Sequence, residues 1–519
     1  MNFLKDKRTL FLLLIILVLG TLLRFYSLNF GLPHSFRADE PEIVEPAIYY
    51  TFQIRDIIKN NDYYKLIPIS YVYGAFPNYF FAFVIMAASK THNLLNVSFP
   101  KENMYLLVRA AHAFLSLSLV FAGAKLYKQV FKNKEGVLFA ALFLALNWKL
   151  IVHGHYANAD LIITALLTFS FIPLYSYFKG NKIKLNLLLV SLLFGLALGT
   201  KITVLITAPL FLYIFAIKKD WRAAAGFILI TALTFLVTNP FALIFSDDFF
   251  LRVMQMATKE SGMALDSVDS SPYKYLASLF YTVTPLLAAL SFVGIYKKIK
   301  EKTETPIHIF LIGHIIIYVL FFSLGNRRVD RWLLPVLPIM ILYGTYGLHK
   351  ISSNLNTKAK RILVLLIIAS VSYFPILLLG QFARQTPKSE AYLWMRDNVE
   401  HLSTKLVITN EGLDPMNKLK FAEVSQYPVY TPEGAQFFDP PSPTMYDYVV
   451  LSSRPMENFK RPEVVEAFPT YVDRMEEFEN TILDPNNFRL IKSFTLTKPN
   501  LIPLSDIYIY ENVNSRDSL

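Results

Sequence analysis

Eleven apolar runs, each about the length of a membrane-spanning helix, constrain this sequence more than any other feature. A helix needs about 20 residues to cross the hydrocarbon of a bilayer. Only 17% of the 519 residues are charged, against about a quarter in soluble domains. The sequence therefore predicts a mainly α-helical, polytopic membrane protein. The predicted spans are 9–28, 104–124, 137–153, 161–178, 185–200, 202–217, 222–240, 276–296, 307–324, 332–350 and 361–380.

Lysine-rich loops orient these spans. Loops rich in Lys and Arg stay in the cytoplasm of multi-spanning proteins, and here they follow alternate runs, at 125–134, 179–184, 218–222, 297–302 and 350–361. Basic residues also precede the first run, and no small-residue cleavage site follows it, which favours an uncleaved span over a signal peptide. We therefore predict a cytoplasmic N-terminus, an odd number of spans, and an outer segment from 29 to 103.

That first outer segment contains two apolar stretches that are not counted as spans. The run 70–89 is aromatic and contains proline, as suits an interfacial or re-entrant segment. Counting it as a span would break the parity of the loops. An earlier stretch has apolar residues at helical spacing and predicts an amphipathic helix in the membrane plane. Its stripe consists of Ile43, Ala47, Tyr50, Ile54 and Ile57.

The composition changes near residue 385 to that of a soluble domain. We predict a transmembrane domain at 1–384 and a small extracytoplasmic α/β domain at 385–519. Residues 389–400 have helical character, and β-like runs occur at 406–409, 446–451, 490–495 and 507–510. The absence of cysteine rules out disulfides and thiolate metal sites. The net charge of +12 follows from the loop lysines, so no nucleic-acid partner is expected.

An acidic motif follows the first span: Arg37-Ala38-Asp39-Glu40-Pro41-Glu42. Adjacent acids beside an interfacial helix could supply a general base to a lipid-borne substrate. Alternatively, Asp39 and Glu42 have the spacing of a helix capping box, while Pro46 would suit the first turn of a later helix start. Arg37 is a candidate substrate contact beside the acidic pair.

Cations on the outer side form the second candidate group. Lys201 interrupts a continuous apolar stretch, where a charge requires a partner or access to water. It could bind a phosphate or snorkel to the membrane surface. Arg327, Arg328 and Arg331 cluster in an outer loop, against the positive-inside trend. A lipid-linked phosphate is one counterion for them; Asp330 and ordinary lipid phosphates are the others.

The outer turn from His153 to Asp160 suggests a pocket or a metal site. His155 and Asp160 are candidate pocket residues, although Asp160 could also cap the next span. His153 and His155 are two residues apart and do not share a helix face. No metal is assigned, and dependence on a divalent metal stays open. Further polar residues near outer span ends could line a cavity or anchor the interface: Arg24, Arg109 and His112.

A family resemblance rests on the stretch RFYSLNFGLPHSFRADEPEIVEPA, residues 24–47. It resembles the signature of the protein O-mannosyltransferase-like glycosyltransferases, polytopic enzymes of the C-type superfold that use polyprenyl-phosphate sugars, as do their aminoarabinose-transferring relatives. Later segments agree in order: HYANADLIITALL, GLALGTKITVL, RVDRWLLPVLP, AYLWMRDNV and YDYVVLSS. The stretch YVYGAFPNYFF lacks both the His-Pro-Pro-Leu segment of the protein mannosyltransferases and the charged residue of the aminoarabinose transferases, which puts both acceptors in doubt.

The resemblance implies inverting glycosyl transfer to an acceptor hydroxyl at the outer face of the cell membrane. It makes Asp39 the candidate base, with Glu40 assisting by position, and Lys201 and Arg331 candidate phosphate contacts. The expected partners are a polyprenyl-phosphate-linked sugar, the lipid bilayer and an acceptor that could be a glycan, a lipid or a protein. A transporter or flippase of lipid-linked sugars is the alternative from another class, and a non-catalytic scaffold is a third.

Overall fold

The computed structural model describes most of the chain, with gaps that contain several of the predicted site residues. The described residues are 7–33, 40–66, 73–94, 100–255, 271–324, 328–399, 405–409, 419–427, 442–453, 456–457, 460–467, 469–496, 499–502 and 504–514.

Helices account for most of the described residues up to 398. They are α1 (Lys7–Phe25), α2 (Pro41–Asn60), α3 (Phe76–Leu94), α4 (Lys101–Phe131), α5 (Lys134–Leu146), α6 (Trp148–Gly154), α7 (Ala159–Phe178), α8 (Ile183–Leu198), α9 (Ala208–Ile217), α10 (Trp221–Thr238), α11 (Phe241–Ile244), α12 (Ser246–Gln255), α13 (Pro272–Val283), α14 (Pro285–Glu301), α15 (Thr305–Ser323), α16 (Leu337–Ser352), α17 (Thr357–Phe382) and α18 (Pro387–Asn398). Short 3₁₀ helices lie at Tyr63–Leu66, Ile202–Thr207 and Asp330–Val336.

The predicted fold class, a mainly α-helical polytopic protein, is confirmed. Within the described part of the chain, seven helices have the length and apolar composition to cross a membrane, or nine if each of two bent pairs is one span. Two shorter apolar helices, Ile183–Leu198 and Ile202–Ile217, occupy two further predicted spans. The run 70–89 falls partly on residues 67–72, outside the described residues; the rest begins α3, which is not among the candidate spans.

The predicted span at 276–296 is not one straight helix. Helices α13 and α14 meet at an angle of 112°, and α5 and α6 at 52°. Side chains at the α5–α6 break donate hydrogen bonds to backbone carbonyls at the α13–α14 break. The side-chain amide of Asn147 donates to the carbonyl of Thr282 at 2.9 Å, and the indole of Trp148 donates to the carbonyl of Tyr281 at 3.2 Å. These carbonyls belong to the last turn of α13, which has no helical partner for them. Hydropathy could not reveal either bend, because the hydropathy of a run of residues does not depend on the direction of its helix axis.

The loops that were predicted to be cytoplasmic meet at one end of the helix bundle. Glu304, between α14 and α15, forms ion pairs with Lys132 and Lys179 and accepts a hydrogen bond from Tyr175 at 3.1 Å. Burial raises the pKa of the Glu304 carboxyl, but the hydrogen bonds from the two lysines lower it by more, so the pKa lies below its ordinary value of 4.5. The loops therefore share one side of the protein, as the charge pattern requires.

A five-stranded mixed sheet follows α18. Its strands are β1 (Lys405–Thr409), β2 (Glu423–Tyr427), β3 (Tyr448–Ser452), β4 (Phe488–Phe494) and β5 (Ile507–Asn512), in the order β2-β1-β3-β5-β4. Strand β1 is parallel to β2 and β3, whereas β5 is antiparallel to β3 and β4. Two helices missed in the sequence, α19 (Pro462–Ala467) and α20 (Pro469–Leu483), lie between β3 and β4.

The sheet is covered on both faces, which makes the α/β part a three-layer structure. Val449 and Leu451 of β3 pack with α20, while Val450 packs with α18, as the alternation of a strand requires. The predicted α/β character is confirmed, and four of the five strands were predicted. The missed strand β2 reads EVSQY and lacks a strong β signal. The domain boundary at 384/385 stays a prediction.

Among the described residues, Gln381 and a short apolar loop connect the α/β part to the end of α17. The amide of Gln381 donates to the carbonyl of Pro499 at 2.6 Å and accepts from the N–H of Leu501 at 3.2 Å. Leu501 and Ile502 join the core that contains Phe382. The α/β part thus lies at the end of the bundle where α17 ends, opposite the Glu304 loops.

We expect Glu304→Gln to lower the thermal stability of the purified protein. A carboxylate whose folded pKa is depressed stabilises the fold above its unfolded pKa and loses this contribution as pH falls through the folded pKa. The apparent Tm of wild type in detergent should therefore fall below pH about 4.5, and the variant should have a lower Tm at pH 7 and a weaker acid dependence. Glu135→Gln, at the same end but exposed, is the control; equal shifts in both variants would contradict the prediction.

Candidate active site

Three of the residues predicted from the sequence lie together in the structure. Asp160 at the start of α7, Lys201 after α8 and Arg331 in the 3₁₀ helix before α16 form one cluster. The predicted contacts Asp39, Arg37 and Arg327 lie outside the described residues. The cluster is therefore built from three chain segments that are far apart in sequence.

Asp160 is the centre of this cluster. The Nζ of Lys201 lies 2.6 Å from its Oδ1, and the Nε of Arg331 lies 3.3 Å from its Oδ2. The Asp160 side chain is 2% exposed, whereas those of Lys201 and Arg331 are 12% and 24% exposed. The carboxylate thus holds two cations that each retain an accessible edge, and the three charges sum to one positive charge.

Local structure explains why Asp160 is available for this role. The N-cap of α7 is Asn158, whose side chain accepts from the N–H of Leu161 at 2.8 Å. The alternative in which Asp160 caps the helix is therefore wrong, because Asn158 is the capping residue. Asp160 lies in the first helical turn, where a negative charge is favourable.

The two cations reach Asp160 from the starts of two 3₁₀ helices. Lys201 follows the end of α8 and lies near the rings of Trp332 and Tyr73, at 5.6 and 5.9 Å from their centroids. Because it pairs with a buried carboxylate, the snorkelling alternative is wrong. Asp330 accepts a hydrogen bond from Ser278 at 2.7 Å, while its neighbour Arg331 turns to Asp160.

A second charged group anchors the segment that follows the first span. Glu40 is fully buried and receives two hydrogen bonds from the guanidinium of Arg109, at 2.8 and 2.7 Å. The same guanidinium donates to the carbonyls of Leu28 and Phe30 at 3.0 and 2.8 Å. Arg109 therefore holds residues on both sides of the segment 34–39, which contains Arg37 and Asp39 and is not described.

The two charged groups are joined by four residues of chain. The N–H of Ala157 donates to Glu40 at 3.2 Å, and Asp160 follows three residues later. His112 Nε2 lies 3.1 Å from the N–H of Asn158 and fixes this connection from α4. Glu40 of the acidic motif is thus connected to the cation cluster through residues 157–160.

Helix α2 starts directly after the acidic pair Asp39-Glu40. Its first residue is Pro41, and its N-cap is Glu40, which makes no side-chain capping bond. The alternative in which the helix starts near Pro46 is therefore wrong, whereas the capping-box alternative involves Asp39, which lies outside the described residues. The predicted amphipathic helix is confirmed as a helix, with Ile43, Ala47, Tyr50 and Ile57 buried.

His155 and Arg328 lie near the site but have other surroundings. The ring of His155 stacks on Phe382 with centroids 3.9 Å apart, and its nitrogens lie 2.8 and 3.0 Å from the carbonyls of Ile151 and Tyr26. These contacts suit a packing role where α17 reaches the site. Arg328 is half-buried two residues before Asp330. Substrate binding by either residue stays a prediction.

Sequence reasoning left Arg109 as one of three polar residues with an open role. Arg109 could have been noticed because it is a charged residue within a predicted span. Such a charge requires a buried partner or water. The partner, Glu40, is 69 residues away, so the pairing could not be read from local spacing. Within the described residues, no group of three or more His, Asp or Glu side chains is arranged to hold a metal ion.

An apolar cavity of about 500 Å³ lies between the interfacial helices and the segment after α10. Its walls include Tyr50 of α2, Tyr79 and Phe83 of α3, and Phe241 and Ile244 of α11. Asn239, directly before Pro240 of this wall, donates to the carbonyl of Gly199, two residues from Lys201. The cavity therefore adjoins the turn that carries one of the two cations.

Comparisons with known proteins agree with this architecture. The sequence model of the Alg9-like mannosyltransferase family matches residues 270–431, which is under a third of the chain. A search of curated protein sequences gives no significant match.

Solved structures with the same fold include two enzymes. The oligosaccharyltransferase of Archaeoglobus fulgidus, tethered with an acceptor peptide, aligns with TM-score 0.56 and 14% identity over 87% of this chain and 70% of that one. ArnT from Cupriavidus metallidurans aligns in its apo state with TM-score 0.53 and 12% identity, over 96% and 97%. ArnT bound to undecaprenyl phosphate aligns with TM-score 0.52 and 12% identity, over 97% and 98%. Family match and fold together confirm the predicted resemblance and enzyme class, a membrane glycosyltransferase.

We expect Arg109→Leu to destabilise the protein strongly, because it leaves the buried carboxylate of Glu40 without its partner. Breaking a buried ion pair in this way costs about 3–5 kcal/mol, whereas replacing both partners costs much less. Thermal unfolding of Arg109→Leu, Glu40→Leu and the double variant should therefore show strong coupling. Lys101→Leu is the control, since Lys101 forms an exposed pair with Glu45 between the same two helices. Additive effects of the two Leu substitutions would contradict the assignment.

Proposed function

We propose that this membrane glycosyltransferase moves a sugar from a polyprenyl-phosphate carrier to an acceptor hydroxyl at the outer membrane face. The observation that carries the proposal is the cluster in which Asp160 holds Lys201 and Arg331, joined by residues 157–160 to the anchored acid Glu40. Cations for a phosphate and acids for a hydroxyl proton are the two groups that this reaction needs.

The charge of the cluster suits the donor. A polyprenyl-phosphate sugar is a phosphodiester with one negative charge, and the cluster carries one net positive charge. When the sugar leaves, the phosphate becomes a monoester with a charge of about −1.5 to −2 at pH 7. Lys201 and Arg331 therefore stabilise the transition state more than the bound donor, which is the requirement for catalysis. Arg37, Arg327 and Arg328 are proposed as further contacts of the substrate.

The base of the reaction is Asp39. Glu40 has both carboxylate oxygens engaged by Arg109, so of the adjacent pair only Asp39 is assigned the acceptor proton. Glu40 assists by position, since it fixes the chain next to Asp39. The acceptor oxygen attacks the anomeric carbon, the bond from this carbon to the phosphate oxygen breaks, and the hydroxyl proton passes to Asp39.

One displacement inverts the anomeric centre. Glycosidases need an acid to protonate a poor leaving oxygen, and retaining enzymes also need a nucleophilic carboxylate. A phosphate leaves without protonation, so one base and the two cations are sufficient. An enzyme-bound sugar intermediate is therefore not part of the proposal.

The apolar cavity is proposed to hold part of the polyprenyl chain. Its walls are aromatic and aliphatic, and it adjoins the turn that carries Lys201. A carrier phosphate at Lys201 would leave its chain beside this cavity. The bound undecaprenyl phosphate of ArnT and the acceptor peptide of the archaeal enzyme support a lipid-linked donor and a separate acceptor, here a glycan, a lipid or a protein.

Membranes that contain wild type are expected to transfer sugar from at least one member of a panel of labelled polyprenyl-phosphate sugars to endogenous acceptors. Asp39→Asn should reduce the rate by about 10²–10⁴, the usual contribution of a general base. Asp56→Asn, an exposed acid of α2, is the matched control and should retain the wild-type rate. Equal transfer by wild type and Asp39→Asn would remove Asp39 from the chemistry. Carrier-linked sugar that crosses the membrane without being transferred would favour a flippase.

The orientation of the protein can be tested by labelling single cysteines, because the natural chain contains none. Asn480→Cys in the α/β part and Asn181→Cys in the loop after α7 are both exposed positions. In intact cells, an impermeant maleimide should label Asn480→Cys and reach Asn181→Cys only after permeabilisation. The opposite pattern would place the site on the cytoplasmic face and contradict this part of the proposal.

A further inference from the structure

An asparagine at the end of α10 connects two distant segments beside the site. The side-chain Oδ1 of Asn239 accepts from the N–H of Ala75 at 2.7 Å, and its Nδ2 lies 3.2 Å from the carbonyl of Gly199, to which it donates. Ala75 precedes α3 and Gly199 follows α8. The residue is 6% exposed, so both bonds are made away from bulk water, where an unsatisfied partner is costly.

The two segments also bond to each other directly. The N–H of Gly74 donates to the carbonyl of Thr200 at 2.9 Å, and that of Phe76 donates to the carbonyl of Gly199 at 3.3 Å. Carbonyls at the end of a helix have no partner within the helix. The segment before α3 thus supplies N–H groups to the end of α8.

The backbones approach each other too closely for side chains. A Cβ atom on Gly74 would lie 2.0 Å from the carbonyl oxygen of Gly199, and one on Gly199 would lie 2.4 Å from Oγ1 of Thr238. Glycine at both positions is therefore a steric requirement of this contact. We call the contact of residues 73–76, 199–200 and Asn239 the Asn239 junction.

The Asn239 junction fixes the backbone position from which the Lys201 side chain extends. Thr200, whose carbonyl is held by Gly74, directly precedes Lys201. Across the junction, the ring of Tyr73 lies near the Nζ of Lys201. Asp160 fixes only the far end of this long side chain, while the junction fixes its backbone.

We propose that Asn239 is a positioning residue for Lys201, through which it sets the affinity for the donor phosphate. The inference rests on the proposed function, in which Lys201 contacts that phosphate. Asn239 bonds to backbone atoms of its neighbours, so its loss acts through the turn that carries Lys201. Binding of the phosphate group should therefore suffer, and binding of the apolar chain should not.

The test compares two lipids that differ only in the phosphate. Dissociation constants of undecaprenyl phosphate and undecaprenol are measured on full-length protein in nanodiscs, for wild type, Asn239→Ala, Lys201→Gln and the double variant. Wild type should bind the phosphate form more tightly. Asn239→Ala should reduce this preference roughly tenfold and leave the Kd of undecaprenol unchanged. In the double variant, the loss should not exceed that of Lys201→Gln alone, because residues that act through one another are not additive.

Two further variants separate positioning from folding. Gly74→Ala disturbs the junction from the opposite side and should reproduce the loss of preference. Asn186→Ala removes a buried amide at the other end of α8, where it donates to the carbonyl of Asn181, and should leave the preference at its wild-type value.

The outcomes distinguish this inference from the function on which it rests. Equal weakening of both lipids by Asn239→Ala, or full additivity with Lys201→Gln, would overturn the positioning role and leave the function intact. Wild type without preference for the phosphate form would overturn both. A loss of preference in Asn239→Ala and Gly74→Ala, absent in Asn186→Ala, would establish the role.

Discussion

The buried carboxylate of Asp160 is the interaction on which the candidate site depends. A charge removed from water is costly unless it is paired and hydrogen-bonded. Lys201 donates a hydrogen bond to Oδ1 of the carboxylate at 2.6 Å, and Arg331 forms an ion pair with Oδ2 at 3.3 Å. Because the cations come from the end of α8 and from the turn before α16, their pairing also ties three helix ends together. The same contacts that stabilise this end of the bundle therefore place two cations at one carboxylate.

Asparagine side chains make the irregular backbone around this site possible. In a membrane, each backbone N–H and C=O needs a partner within the protein, and an amide can donate and accept at once. Asn147 accepts from Leu150 at the start of α6 and donates to Thr282 at the end of α13. Asn158 caps α7, and Asn239 joins two chain segments beside Lys201. These asparagines thus supply hydrogen-bond partners to backbone groups that the helix breaks would otherwise leave unsatisfied.

The sequence predicts features that depend on residue composition and on the order of segments along the chain. It does not predict features that depend on the direction of helix axes or on pairing between distant residues. Hydropathy and loop lysines located the helices, and Lys201 was conspicuous because it interrupts an apolar stretch. The bends at Asn147 and Thr284 left no hydropathy signal, so 276–296 was taken as one straight span. The partner of Glu40 could not be identified, because Arg109 is distant in sequence and resembled other span-end polar residues. Asp160 was singled out with two alternative roles, and the choice between them depended on which residue caps α7, which only the backbone geometry decides.

The presence of an acid between two cations has a consequence for the proposed reaction. Lys201 and Arg331 alone would present two positive charges and would hold the product, a phosphate monoester, more tightly than the diester donor. Asp160 reduces the net charge by one, so the bound donor is balanced and the product carries an excess of negative charge. In the proposed complex, the cations face the phosphate, where charge develops as the sugar leaves. The carboxylate therefore limits retention of the product without removing the stabilisation of the transition state.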